Sequence, residues 1–271
     1  MKHLVLSCLI VLSACSGMNK KKIAVSESLQ DAVESDLRTE SNKARDKYRH
    51  PAETLAFFGL KPNMHVVEIY PGSGWYMEII APYVAQKGKY VMAMPYTDRK
   101  KAYMVANEEK IMNWMKNNPE ISMKMTIKGY DLPTRTELGA ENSADLVVTF
   151  RNVHNWITMK AEKEAFASFF KVLKPGGVLG VVEHRELPNK YDPLAKNGYV
   201  REKDVINMAE RAGFKLVAKS EINANPKDTK DHPAGVWTLP PSLRLGDKNK
   251  EKYLEIGESD RMTLKFIKPV K

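Results

Sequence analysis

The chain has very little cysteine: two residues, Cys8 and Cys15, in 271. That excludes a disulfide-built fold and any cluster of thiolate metal ligands. Beyond the first dozen residues no run is long and apolar enough to cross a bilayer. Acidic residues are in the minority, giving a formal charge of +10. The surplus lies in scattered lysines such as Lys20-Lys21-Lys22, Lys100-Lys101 and Lys248 to Lys252. Without interleaved aromatics these point to a solvated surface and weak attraction to anionic membranes, and no nucleic-acid partner is expected. A complete GxGxxG is also missing, because Met77 stands where its third glycine would be. The acidic residue that would end the second strand of a dinucleotide site is absent too, which leaves a nicotinamide oxidoreductase the weakest reading. Against these absences stand 43% apolar residues with aromatics throughout, enough for one large α/β domain.

The N-terminus carries a separate message. Met1-Lys2-His3 is a short basic start and Leu4 to Leu12 is an apolar stretch too short to span a membrane. Leu12-Ser13-Ala14-Cys15 then matches the processing box of bacterial lipoproteins, so residues 1–14 are expected to be a signal peptide and Cys15 the lipidated first residue. With Cys8 removed and Cys15 acylated, no free thiol would remain, as suits an oxidising compartment. Ser16 stands where an inner-membrane retention signal places Asp, and resemblance to Gram-negative lipoprotein sorting implies the periplasmic face of the outer membrane. Residues 15–45 are polar and read as a tether that becomes a surface helix. Residues 46–271 read as the folded domain.

Within that domain Val66-Val67-Glu68-Ile69 is a buried strand ending at Tyr70-Pro71-Gly72-Ser73-Gly74, with a helix from near Trp75 through Met77, Ile79, Ile80 and Tyr83. Glycines admit a ligand close to the backbone, and a helix start presents free N–H groups to negative charge. The Glu68 carboxylate favours hydroxyls or a cation. S-adenosylmethionine, with a sulfonium, an ammonium and a carboxylate on one frame, suits that combination. Further strands are expected at Lys89–Met94, Met123–Ile127, Ala144–Phe150, Val178–Glu183, Phe214–Ile222 and Arg261–Ile267, alternating with helices. Lys174-Pro175-Gly176-Gly177 reads as a sharp turn into Val178–Glu183, the fifth strand of the domain. Such alternation predicts a mostly parallel sheet covered by helices on both faces, with ligands at the carboxyl ends of its strands.

With the elements in this order, residues 46–271 resemble the class I S-adenosylmethionine-dependent methyltransferases, which implies a Rossmann-like fold with a seven-stranded, mostly parallel sheet. Glu68, Gly72 and Gly74 occupy the acidic, second and third glycine positions of the usual first motif, with Tyr70 at the first glycine. Tyr130-Asp131-Leu132-Pro133 resembles the segment whose acidic side chain holds the adenine amino group. Leu173-Lys174-Pro175-Gly176-Gly177 resembles the family's later motif. Taken with the leader, the chain resembles a lipoprotein-type branch of predicted methyltransferases in Proteobacteria. One position departs: Met94 stands where the family places the acidic residue that grips the ribose hydroxyls, with Tyr96, Thr97 and Asp98 close behind it.

The resemblance implies transfer of a methyl group to a small molecule. Such a reaction needs alignment and exclusion of water, and a base only where the acceptor must lose a proton. The densest polar cluster at a strand end is Arg151-Asn152-Val153-His154-Asn155-Trp156. Here His154 is the candidate base or substrate ligand, Asn152 and Asn155 position ligands, and Trp156 is a wall. Glu183-His184-Arg185, at the end of the fifth strand, are candidates for a polar or anionic substrate or for a structural ion-pair network. Asp228, Asp231 and His232 in the late loop are candidates to close over the site or to bind a metal, but loop carboxylates are usually just solvated and no metal is expected. His50-Pro51-Ala52-Glu53 sits where this family often places a lid, or simply caps a helix. The alternative to an enzyme is a protein that keeps the fold as a binder of a nucleoside-like or small apolar ligand.

Overall fold

The computed structural model describes residues 28–95 and 101–270. Seven strands form one sheet: β1 (His65–Ile69), β2 (Lys89–Met94), β3 (Met125–Gly129), β4 (Ala144–Phe150), β5 (Leu173–His184), β6 (Lys215–Ser220) and β7 (Arg261–Ile267). Their order is β3-β2-β1-β4-β5-β7-β6. The first five pair in parallel, and β7 lies antiparallel between β5 and β6. The expected architecture is the one found. Central strands covered on both faces should be largely apolar, as β4 (Ala-Asp-Leu-Val-Val-Thr-Phe) is apart from Asp145 and Thr149; β6 closes one edge and is never fully buried. The Lys174–Gly177 segment differs from expectation in being part of β5, with a register irregularity against β4 between Ala144 and Leu146.

Helices cover both faces. On one lie α1 (Leu29–Glu34), α2 (Glu40–Lys43), α3 (Asp46–Arg49), α4 (Pro51–Phe58), α5 (Met77–Val84), α6 (Ala102–Asn117) and α7 (Pro119–Ser122). On the other lie α8 (Val153–Met159), α9 (Glu162–Val172) and α10 (Glu202–Arg211); α11 (Lys250–Ile256) precedes β7. The alternation of β1 and β4 divides their side chains between two cores. Val66, Leu146 and Val148 pack with Leu55, Phe58, Ile79 and Ile80, while Val67, Ile69 and Val147 pack with Trp156, Phe166 and Phe169. Each such burial contributes about 1.5–3 kcal/mol relative to exposure. No helix among the described residues is long and apolar enough to cross a membrane.

The stretch expected to be a tether is, from Ser28 onward, built into the domain. Ala32 and Val33 are buried. Thr39 donates its N–H to Glu78 (3.0 Å), while the indole N–H groups of Trp75 and Trp114 reach the carbonyls of Asn42 (2.9 Å) and Leu37 (2.6 Å). The segment thus docks by satisfying polar groups more than by an apolar stripe, which is why its composition read as solvated. Cys15 and residues 1–14, the expected signal peptide, like Tyr96, Thr97 and Asp98, lie outside the described residues.

Candidate functional site

The chain builds outward from β1 to β2 and β3, then returns to add β4 on the other side of β1. A crevice opens at the carboxyl ends of β1 and β4, where the two directions of winding part. There lies a cavity of about 340 Å3, lined by Glu68, Tyr70 and Gly72 after β1, and by Arg151, Asn152, His154 and Asn155 after β4. His184 enters from β5, Trp75 and Tyr76 from the turn before α5, and Trp237, Pro240, Pro241 and Ser242 from the late loop.

The turn after β1 is held in the left-handed region three times, at Tyr70 (φ 49°), Gly72 (φ 63°) and Gly74 (φ 88°). The two glycines do different work. A Cβ on Gly74 would come within 2.9 Å of Met77 Cε and 3.2 Å of Ile111 Cγ1, so this glycine permits the turn to pack on α5 and α6. A Cβ on Gly72 would meet nothing within 4 Å, so its backbone is bare toward the cavity. Tyr70, at the expected glycine position, carries a left-handed cost of about 1–2 kcal/mol. Its hydroxyl bond to the Tyr130 carbonyl (3.1 Å) and ring contacts with Tyr130 and Trp156 offset that strain.

Glu68 is 1% exposed and accepts the Tyr90 hydroxyl at 2.6 Å. Burial pushes its carboxyl up to about 7, against the opposing effect of that hydrogen bond. A carboxylate near half-ionisation beside a bare backbone turn suits a ligand that brings hydroxyls or a positive charge.

His154 is set by Glu183. The Glu183 Oε2 atom accepts the N–H groups of Val153 (2.6 Å) and His154 (3.3 Å), so a side chain on β5 caps α8. Its Oε1 accepts the N–H of His184 (2.7 Å) and lies 3.1 Å from His154 Nδ1. That contact favours the proton on Nδ1 and leaves Nε2 as the basic nitrogen. The edge of Trp237 packs against the His154 ring at 6.0 Å. His184 lies 5.5 Å from His154, ring to ring, and its Nδ1 contacts Ser259 Oγ at 2.6 Å. Burial first, then the charges of His154 and the nearby arginines, push His184 well below the ordinary range, so it is neutral. His154, Glu183 and His184 have metal-compatible spacing. Glu183 already satisfies four donors, however, and neighbouring guanidiniums oppose a cation.

The remaining expected residues are placed differently. Asn152 gives its amide hydrogens to the Ile69 carbonyl (2.9 Å) and Thr149 Oγ1 (3.0 Å), tying the ends of β1 and β4 together beside the cavity. Asn155 is exposed on the cavity lining. Trp156 is not a wall of it: the indole is fully buried against Phe166 and Phe169, on the opposite side of α8. Arg185 turns away to pair with Glu221 (2.7 Å) and Asp260 (2.9 Å), the ion-pair network envisaged for it. Asp131, at the end of β3, pairs with Arg135 at 3.9 Å and is outside the lining formed by the described residues. Met94 is half-buried against the core. Asp228 is buried and accepts Tyr199 (3.0 Å), His232 (2.8 Å) and the Asp260 N–H (2.8 Å), so it anchors the late loop.

A basic cluster, unmarked as a group by any local pattern in the sequence, lies at one side of the cavity. Glu258, 2% exposed, accepts Arg45 Nε (2.6 Å), Arg49 Nε (3.2 Å) and Arg261 Nη2. Although burial opposes it, Arg261, Arg49, Arg45 and Arg151 hold the Glu258 carboxyl well below the usual range. Arg49 and Arg151 are both lowered, by burial and then by neighbouring arginines, Arg151 to about 10. Only Arg151, adjacent to Asn152, had a local signal; the others converge from distant parts of the chain.

No family model and no curated protein sequence matches the chain. Solved structures do. A SAM-dependent methyltransferase from Aquifex aeolicus matches at TM-score 0.52 and 20% identity, covering 73% of this chain and 94% of its own. A putative sarcosine dimethylglycine methyltransferase from Galdieria sulphuraria matches at 0.57 and 14%, covering 85% and 87%. The [4+2]-cyclase SpnF matches at 0.55 and 16%, covering 90% and 93%. The chain therefore has the class I methyltransferase fold, as the strand order indicates.

Proposed function

We propose that the chain binds S-adenosylmethionine at the turn after β1 and methylates a small molecule. The observation that carries this is the Gly72 backbone, open to a cavity at the switch point and flanked by the Glu68 carboxyl. Glu68 would hold the cofactor's hydroxyl or ammonium donors, with Gly72 and Gly74 giving its chain room; Asp131 is the proposed adenine partner and Asn152 braces the turn. When bound, the cofactor supplies an electrophilic methyl group on a sulfonium. His154 Nε2 takes the proton of an acceptor hydroxyl or amine, and Glu183 keeps the Nδ1 proton in place. Asn155 and His184 contact the acceptor. Trp75 and the stacked Tyr76 and Phe150 rings (3.5 Å, 10°) exclude water.

The experiment is His154→Ala. Turnover should fall by about 10²–10⁴-fold, as for loss of a general base, with S-adenosylhomocysteine affinity unchanged. An equal loss of affinity would make His154 a cofactor ligand and refute the assignment. The similarity to a [4+2]-cyclase favours keeping one rival: a protein that uses the fold without methyl transfer. That rival predicts cofactor or ligand binding with no turnover on any acceptor.

The lipoprotein box supports a further part of the proposal, attachment through Cys15 to the periplasmic face of the outer membrane. Cys15→Ser should then move the protein from the membrane to the soluble fraction. A protein that stays in the membrane fraction sinks that part alone.

A further inference from the structure

Four guanidinium groups gather at one side of the cavity around a single carboxylate, Glu258. The pairing is incomplete. Arg49 is 2% exposed and lines the cavity, yet its Nη2 has no hydrogen-bond partner. Arg151 also lines the cavity, and its side chain makes no ion pair among the described residues. Its backbone is left-handed (φ 64°), held by the Arg151 N–H bond to the Val182 carbonyl (2.7 Å). The two histidines beside these groups carry no negative charge, and the carboxylate they share, Glu183, is already taken up by four donors. A buried donor without a partner, as Arg49 Nη2 is, is rare in folded proteins and calls for an explanation at a functional site.

S-adenosylmethionine does not balance this excess, because its two positive charges outnumber its one carboxylate. A second, anionic ligand would balance it. We propose that the methyl acceptor is an acid, whose oxyanion group, a carboxylate in the simplest case, is held by Arg151 and the free Nη2 of Arg49. The term acceptor rests on the methyl-transfer reading; the anion site itself does not. The planar fork of arginine matches a carboxylate, and an ion pair shielded by Trp75 and Trp237 is stronger than one in water. The same charge disfavours cationic acceptors such as protonated amines, which would enter against several guanidiniums. The arrangement therefore selects by sign of charge before any contact at the reacting atom.

The test is calorimetric titration of the full chain with benzoate and with benzamide, which share shape but differ in charge. Each titration is run with and without saturating S-adenosylhomocysteine, at fixed physiological ionic strength. Benzoate should bind about tenfold tighter than benzamide with S-adenosylhomocysteine present, a preference erased in Arg151→Gln and partly kept in Arg151→Lys. Arg151 takes no part in the Glu258 ion pairs, and a melting curve of each variant checks that the fold is kept. Equal binding of the two probes overturns the proposal, as does binding of neither. A preference that vanishes once S-adenosylhomocysteine saturates means that the arginines serve the cofactor's own carboxylate, which also overturns it. If S-adenosylhomocysteine itself does not bind, the methyl-transfer reading fails. A benzoate preference lost in Arg151→Gln would still support the anion site.

Discussion

Glu68→Gln should make the protein more stable and less able to bind the proposed cofactor. The Glu68 carboxyl is buried, bonded to Tyr90 at 2.6 Å, and raised by burial from 4.5 to about 7. A carboxyl raised on folding contributes stability in its protonated form. That contribution is complete below the unfolded value, near 4.5, and is lost as pH rises through about 7. The interval corresponds to about 3 kcal/mol, of which roughly 2–3 kcal/mol falls between pH 5 and 8. Glutamine keeps a carbonyl for the Tyr90 hydroxyl and carries no charge to desolvate. In urea unfolding the variant should therefore exceed the parent by about 2–3 kcal/mol at pH 8 and by under about 1 kcal/mol at pH 5. Removing a charged acceptor should also weaken S-adenosylhomocysteine binding at pH 8 by about ten- to a hundredfold. A residue whose loss stabilises the fold and costs affinity is retained for its ligand. Identical pH dependence in the two proteins, with unchanged affinity, would refute this reasoning.

Glu258→Gln should act in the opposite sense, costing about 3–5 kcal/mol in urea unfolding, because it leaves buried guanidiniums without their carboxylate. The Glu258 contribution is present above the unfolded carboxyl value and declines as pH falls below it, so the gap should narrow in acid. A loss under about 1 kcal/mol at neutral pH would contradict the pairing. Trp156→Ala should cost about 3–5 kcal/mol and leave S-adenosylhomocysteine affinity unchanged. A large fall in affinity with little change in stability would return Trp156 to the cavity wall.

The legible parts of this molecule were those written locally. β1, its glycine turn and α5 lie within twenty consecutive residues, and the two-residue and 3.6-residue periods marked each later strand and helix. The side of α8 was legible too. Val153, Trp156 and Ile157 stand at i, i+3 and i+4 and are all buried, so the spacing itself turns the indole to the core and leaves His154 and Asn155 on the other face. Proximity of Trp156 to His154 in sequence had outweighed that period. What no local pattern carried was long-range. Arg45, Arg49, Arg151, Glu258 and Arg261 meet only because β4 and β7 flank β5 and the N-terminal helices fold back across the strand ends. The docking of residues 28–49 was hidden for a related reason, since it relies on polar side chains meeting distant backbone groups.

The most direct test of the account is a calorimetric titration of the full chain with S-adenosylmethionine and S-adenosylhomocysteine. The glycine turn and Glu68 predict micromolar dissociation constants, corresponding to about −8 kcal/mol. An absence of binding at millimolar cofactor would contradict the central claim and leave the class I methyltransferase fold serving another ligand.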